Sequence, residues 1–148
     1  MANNMENHFK LEEFYKPRFI LPDDVKEKIE KYHIPELNRI REELNKDVPK
    51  EKEVGIIISK HSGYRPRHWE IYKGRSGNSQ HCFTGKGAVD ITCRLDMFPR
   101  LWELMRESAY TRVCLYPNKM FIHNDFKELT AKQEFICTDD KWEFQAFR

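Results

Sequence analysis

The sequence predicts a single α+β domain whose mainly antiparallel sheet carries packed helices. Three observations lead there. Helical-period apolar residues occupy the first third of the chain, short strand-like runs recur through the rest, and no linker, repeat or low-complexity tract divides the 148 residues. That length suits one domain able to bury a core without disulfide staples. Aromatic residues at 13% are too many for a disordered chain. No apolar run approaches the roughly 18 residues of a membrane span. Lys and Arg total 26 against 24 for Asp and Glu, too even a balance for a protein that works mainly by coating nucleic acid.

The elements follow in order. Residues 1–8 are polar and expected to fray, and 9–148 form the domain. Phe9, Leu11, Phe14, Tyr15, Phe19 and Ile20 make an apolar anchor for the body. Pro22-Asp23-Asp24 opens a helix through Val25, Ile29 and Tyr32. Pro35 interrupts it, and Leu37, Ile40 and Leu44 resume the period to about Asn45. A charged turn containing Pro49 leads to a buried strand, 54–59. Residues 60–87 have no strong period and are rich in Gly, Ser, Arg, His and aromatics, a composition typical of functional loops. Residues 87–93 read as a second strand. Leu95 to Ser108 reads as an amphipathic helix with Pro99 in its first turn. Strands at 112–116 and 120–126 flank a Pro117-Asn118 turn, and 134–138 and 142–147 close the chain as a hairpin around Asp139-Asp140.

Cys82, Cys93, Cys114 and Cys137 form no CxxC pair, which argues against a thiolate zinc knuckle or a thioredoxin-type site. The start MANNMENHFK has no apolar core of a secretory signal. Synthesis in a reducing cytoplasm with free thiols is the expectation.

Two segments carry candidate chemistry. In the first, His81 lies in a loop and Asp90 lies inside the apolar run Ala88-Val89-Asp90-Ile91. A carboxylate there is costly unless it is paired, bound to a metal, or turned to solvent on an alternating strand. In the second, Phe121, His123 and Asp125 alternate onto one strand face, His123 and Asp125 about 6.6 Å apart along the strand. The plainer reading is the polar face of an edge strand. Together they supply two imidazoles and a carboxylate, a set that fits a catalytic zinc with a fourth position left for water. Such a zinc lowers the pKa of water toward about 7 and polarises a carbonyl. Of the other histidines, His8 falls in the frayed start and His33 near a helix end, where a surface role is expected. His61 and His68 flank the stretch 62–66 and border any cleft there. Trp69, Tyr72 and Phe83 are read as core or rim packing.

Ser62-Gly63-Tyr64-Arg65-Pro66, Asn78-Ser79-Gln80-His81, Gly87-Ala88-Val89-Asp90-Ile91, Tyr116-Pro117 and Phe121-Ile122-His123-Asn124-Asp125 occur in one order. This ordered set resembles the zinc D-alanyl-D-alanine carboxypeptidase and L-alanyl-D-glutamate endopeptidase superfamily, which shares its fold with the hedgehog signalling domain. The likeness to its short phage and bacterial members runs from Phe9 to about Phe126.

The resemblance implies a hedgehog/DD-peptidase-like fold, Zn2+ as cofactor and a peptidoglycan stem peptide as substrate. His81, Asp90 and His123 would be the metal ligands. Arg65 would bind a substrate carboxylate or carbonyl oxygen and stabilise the oxyanion. Ser79, Gln80 and Tyr64 would contact the peptide. A phage-encoded enzyme acting on the wall fits the absence of a signal. Two departures stand out. Asp90 lies nine residues after His81, where the family usually has seven, and Met120 occupies the place three before His123 where many members carry an acid. Asp125 is the candidate base, with orientation of a ligand as its alternative role. A catalytically silent peptidoglycan- or protein-binding module of the same fold is the rival reading, and a nucleic-acid enzyme a distant third.

Overall fold

A computed structural model describes residues 6–138 and 141–145. The expected Asp139-Asp140 turn and residues 1–5 and 146–148 lie outside the described residues.

The helical first third is one rod. α1 (Asp23–Lys28) begins after Pro22 with Asp23 and Asp24 in its first turn, where carboxylates offset the exposed N–H dipoles. A π-helical turn, Ile29–His33, then leads directly into α2 (Ile34–Leu44). Pro35 does not interrupt the rod as the sequence suggested. A proline inside a helix lacks an N–H and clashes with the carbonyl four residues back. Here the backbone widens just before it, with Ile34 N–H bonding the Ile29 carbonyl, and Pro35 falls in the first turn of α2.

Among the described residues, six strands make one mixed sheet in the order β1-β2-β4-β3-β5-β6. They are β1 (Ile57–Ile58), β2 (Ala88–Thr92), β3 (Arg112–Tyr116), β4 (Phe121–Asp125), β5 (Gln133–Thr138) and β6 (Lys141–Gln145). Four of the pairings are antiparallel, but β3 and β5 run parallel. After the β3–β4 hairpin the chain crosses back, so β5 lies on the other side of β3 and points the same way. α3 (Arg67–Tyr72) lies in the long loop segment, and α4 (Phe98–Arg106) joins β2 to β3. A short 3₁₀ turn, Leu95–Met97, precedes α4, and Leu95 is exposed rather than core.

Strand alternation separates the two faces. Val89, Ile91, Val113 and Ile122 are buried with Leu37, Ile40 and Leu44 of α2 and Leu101 and Met105 of α4. Burying such side chains contributes on the order of 1.5–3 kcal/mol each. The registers Asp90↔His123 and Cys114↔His123 put these three residues side by side on the opposite face.

Some residues sit otherwise than expected. His33 is fully buried, not on the surface. Its Nε2–H donates to the Lys86 carbonyl and its Nδ1 accepts from Tyr110 O–H, both at 2.9 Å. The backbone N–H of His8 is held by the Asn38 side chain at 3.0 Å. Ile20 of the N-terminal anchor is exposed, while Phe9, Phe14 and Phe19 are buried. The four cysteines are unbridged.

Candidate metal centre

The segment between β1 and β2 is tied down by backbone bonds rather than by regular structure. Tyr64 N–H reaches the Phe14 carbonyl, Arg65 N–H the His81 carbonyl, and Asp90 N–H the Ser62 carbonyl. Ser79 caps the 3₁₀ turn Gln80–Cys82, its hydroxyl accepting from His81 N–H at 3.1 Å. The longer loop that follows is pinned underneath. Lys28 Nζ donates to the Phe83 carbonyl at 2.8 Å, and His33 takes the Lys86 carbonyl. Gly87 has φ +96°, and any Cβ there would meet the Phe83 ring. The loop is thereby anchored at Phe83, Lys86 and Gly87 as it returns the chain to β2.

His81, Asp90 and His123 converge. His81 Nε2 lies 3.1 Å from His123 Nδ1 and 3.3 Å from Asp90 Oδ1, and His123 Nδ1 lies 2.9 Å from the same oxygen. All three residues are buried. The far nitrogen of each imidazole is already committed. His81 Nδ1–H donates to the Gly63 carbonyl at 2.7 Å, and His123 Nε2–H donates to Asp125 Oδ2 at 2.7 Å. In the neutral rings this leaves two lone pairs and a carboxylate facing one small space. A cation satisfies that arrangement, either a metal ion or, without one, a proton on His123 Nδ1. Tetrahedral ligands about 2.0–2.1 Å from a zinc stand roughly 3.3 Å apart, close to the spacings seen. The cluster can therefore hold a divalent metal ion.

The electrostatics agree. Burial would raise the Asp90 carboxyl, but His81 and His123 beside it outweigh that and hold it well below the usual carboxylate range. Burial depresses His81. Burial would likewise depress His123, yet its bonds to Asp125 and Asp90 win and raise it to about 9 when no metal competes for Nδ1. Ser62 Oγ donates to Asp90 Oδ2 at 2.9 Å, which leaves Oδ1 to the two histidines.

A cleft of about 540 Å³ opens over the cluster. Arg65, Ser79 and Gln80 line it. Arg65 Nε stands 3.6 Å from Glu70 Oε1 and has no hydrogen-bond partner. Tyr64 is not among the lining residues. Its ring is buried edge-on against Phe83, because the Phe14 carbonyl holds its backbone against the core. Asp125 is fully buried on the far side of the His123 ring, bonded to Arg112 as well as to Nε2. His61 borders a neighbouring hollow, and its Nδ1 donates to the Glu12 carbonyl at 3.0 Å.

Sequence reasoning gave no role in the cleft to several of its residues. Arg112 and Tyr116 share the face of β3 that carries Cys114, a period-two signal that was legible. Trp142 donates from Nε1 to Tyr116 Oη at 2.6 Å, leaving the phenol proton free to donate elsewhere. Glu70 and Arg75 form an ion pair, and Glu70 is buried at the cleft wall. No local pattern announced that pair.

No family model, curated protein or solved structure matches the chain.

Proposed function

We propose that the chain is a zinc-dependent peptidase that hydrolyses a peptide bond in bacterial cell-wall stem peptides, on a fold of the hedgehog/DD-peptidase type. The observation that carries this reading is the pair of imidazole nitrogens and the Asp90 carboxylate facing one space, each imidazole fixed from behind by an acceptor. The ordered motifs from Ser62 to Asp125 supply the substrate class. His81 Nε2, Asp90 Oδ1 and His123 Nδ1 would hold the ion. Zinc bound there supplies a Lewis acid and a water of lowered pKa.

The chain's own groups do the rest. Arg65 is the fork that receives a substrate carboxylate or carbonyl oxygen at the cleft wall. Ser79 and Gln80 present polar atoms beside His81 for the peptide backbone. Tyr116, held by Trp142, has a phenol proton to give to an oxygen that gains charge. Asp125 acts through His123, keeping its proton on Nε2 so that Nδ1 stays a ligand.

One observation favours a second reading, a silent binding module of the same fold. Among the described residues that line the cleft, the carboxylates are Asp90, which belongs to the cluster, and Glu70, which is paired with Arg75. A group able to take a proton from water is thus not evident.

The test is zinc content per chain for the wild type and His123→Ala, followed by incubation of the zinc-loaded wild type with defined muropeptides. Near one zinc in the wild type, little in the variant, and release of a shortened stem peptide support the peptidase. One zinc without any cleavage selects the silent module. Absence of zinc after added metal rejects the peptidase and leaves a binding module without metal.

A further inference from the structure

Beside the metal cleft lies a second hollow of about 480 Å³, sharing Arg65, Arg75 and Asp90 with it. Its lining is one-sided. Lys16, Arg18, Lys60, Arg65, Lys73 and Arg75 converge on it, and the single carboxylate in the lining among the described residues, Asp90, is committed to the metal cluster. Of the six, Arg75 is paired with Glu70 and Arg65 stands near the same carboxylate. Lys16, Arg18, Lys60 and Lys73 have no ion pair among the described residues.

What holds the cations together is an aromatic ring. Arg18 lies 4.4 Å, Lys73 4.7 Å and Lys16 5.9 Å from the centroid of Trp69. Trp69 is in turn fixed by Phe19, packed edge-on at 5.3 Å. A ring quadrupole offsets part of the repulsion among neighbouring cations but cancels none of their charge. Lys60 joins from a strained position: it and His61 are consecutive non-glycine residues at positive φ, 52° and 55°. Crowding shows in Lys16, whose pKa is lowered first by burial and then by Arg18, Lys73, Arg65 and Lys60.

We propose that this hollow is a binding site for a compact, multiply charged phosphate anion, of the diphosphate class, next to the metal centre. Four unpaired cations around one hollow, three of them on the Trp69 ring, exceed what a single carboxylate can balance. A chain that spreads single charges along its length would leave most of them uncompensated. A diphosphate places several charges on oxygens that accept from both guanidinium and ammonium groups. The shared boundary with the metal cleft places such a group beside whatever reacts there. This inference goes beyond the peptidase reading and does not depend on it.

The test is calorimetric titration of inorganic pyrophosphate into the intact chain, Lys16→Ala/Arg18→Ala and Lys60→Ala/Lys73→Ala, each first shown to melt cooperatively. Pyrophosphate chelates metals, so every titration uses zinc-free protein. The expected result is saturable binding that weakens at higher salt and is at least tenfold weaker in each double variant. A parallel titration with a nucleoside diphosphate identifies the source, since tighter binding than pyrophosphate marks a phosphate carried on a substrate and weaker binding marks the free ion. Three results overturn the proposal: no binding to the wild type, equal binding to the double variants, or a hexaglutamate peptide binding as tightly as pyrophosphate. The last would assign the hollow to an acidic peptide. No arm reads peptide hydrolysis, so failure here and failure of the peptidase reading are separate results.

Discussion

Asp125 accepts the Nε2 proton of His123 at 2.7 Å, on the side of the ring away from Asp90 and His81. The two residues alternate onto one strand face, yet a carboxylate two positions along the strand reaches the back of the imidazole rather than the space in front of it. In the neutral ring that hydrogen bond keeps the proton on Nε2.

Asp125→Ala should weaken zinc binding by about 10–100-fold, the usual cost of losing such a partner. It also strips Arg112, whose side chain is 17% exposed, of its Asp125 partner. Asp125→Asn keeps an oxygen to accept from Nε2–H and should retain most of the affinity. Competition against a chromogenic chelator measures both. Equal losses in the two variants would mean that the charge on Asp125 matters and the tautomer does not.

His33 links pH to stability. Burial depresses its pKa to about 4, against an ordinary value of 6.5. Between those values the unfolded chain takes up a proton that the folded chain refuses, so stability rises with pH across the window and is lost as pH falls through it. At about 1.4 kcal/mol per unit, the loss by pH 4 is about 3 kcal/mol. His33→Gln should melt lower at pH 7 and show a flatter dependence of Tm between pH 4 and 6.5. A slope as steep as that of the wild type would assign the effect to other groups.

Gly87→Ala should destabilise the fold by about 1–3 kcal/mol. The position combines φ +96° with a space already filled by the Phe83 ring. Thermal melting with and without zinc measures the effect. Because Gly87 ends the loop between His81 and Asp90, zinc affinity should fall as well. An unchanged Tm would show that Phe83 moves aside at little cost.

Glu70→Gln should lower stability by about 1–3 kcal/mol. The carboxylate is buried, receives Arg75 and faces Arg65. An amide of the same shape leaves two guanidinium groups without their counter-charge. Urea unfolding measures the loss, and zinc content should be unaffected, since Glu70 is outside the ligand cluster.

Much of the architecture was legible because it rests on local periodicity. The apolar stripes of α2 and α4 and the alternation in β2, β3 and β4 each come from residues near one another in sequence. Pro35 misled for a matching reason. A local rule says that proline ends a helix, whereas the rod keeps its direction by widening one turn, and the buried bonds of His33 fix that turn in place.

The candidate ligands His81, Asp90 and His123 were chosen from residue type, order and motif, and their sequence alone determined that two imidazoles and a carboxylate were available. Their convergence was a matter of tertiary structure, because strand register sets Asp90 opposite His123 and the return of the 60–87 segment brings His81 over both. The parallel β3–β5 pair depends in the same way on where a crossing chain comes to rest. Charge shows the division most plainly. A balance of +2 describes the whole chain, but packing around Trp69 gathers cations whose compensating acids lie elsewhere. Composition adds charges without regard to place, whereas a ligand meets the field of one hollow, and only the fold assigns each charge a position.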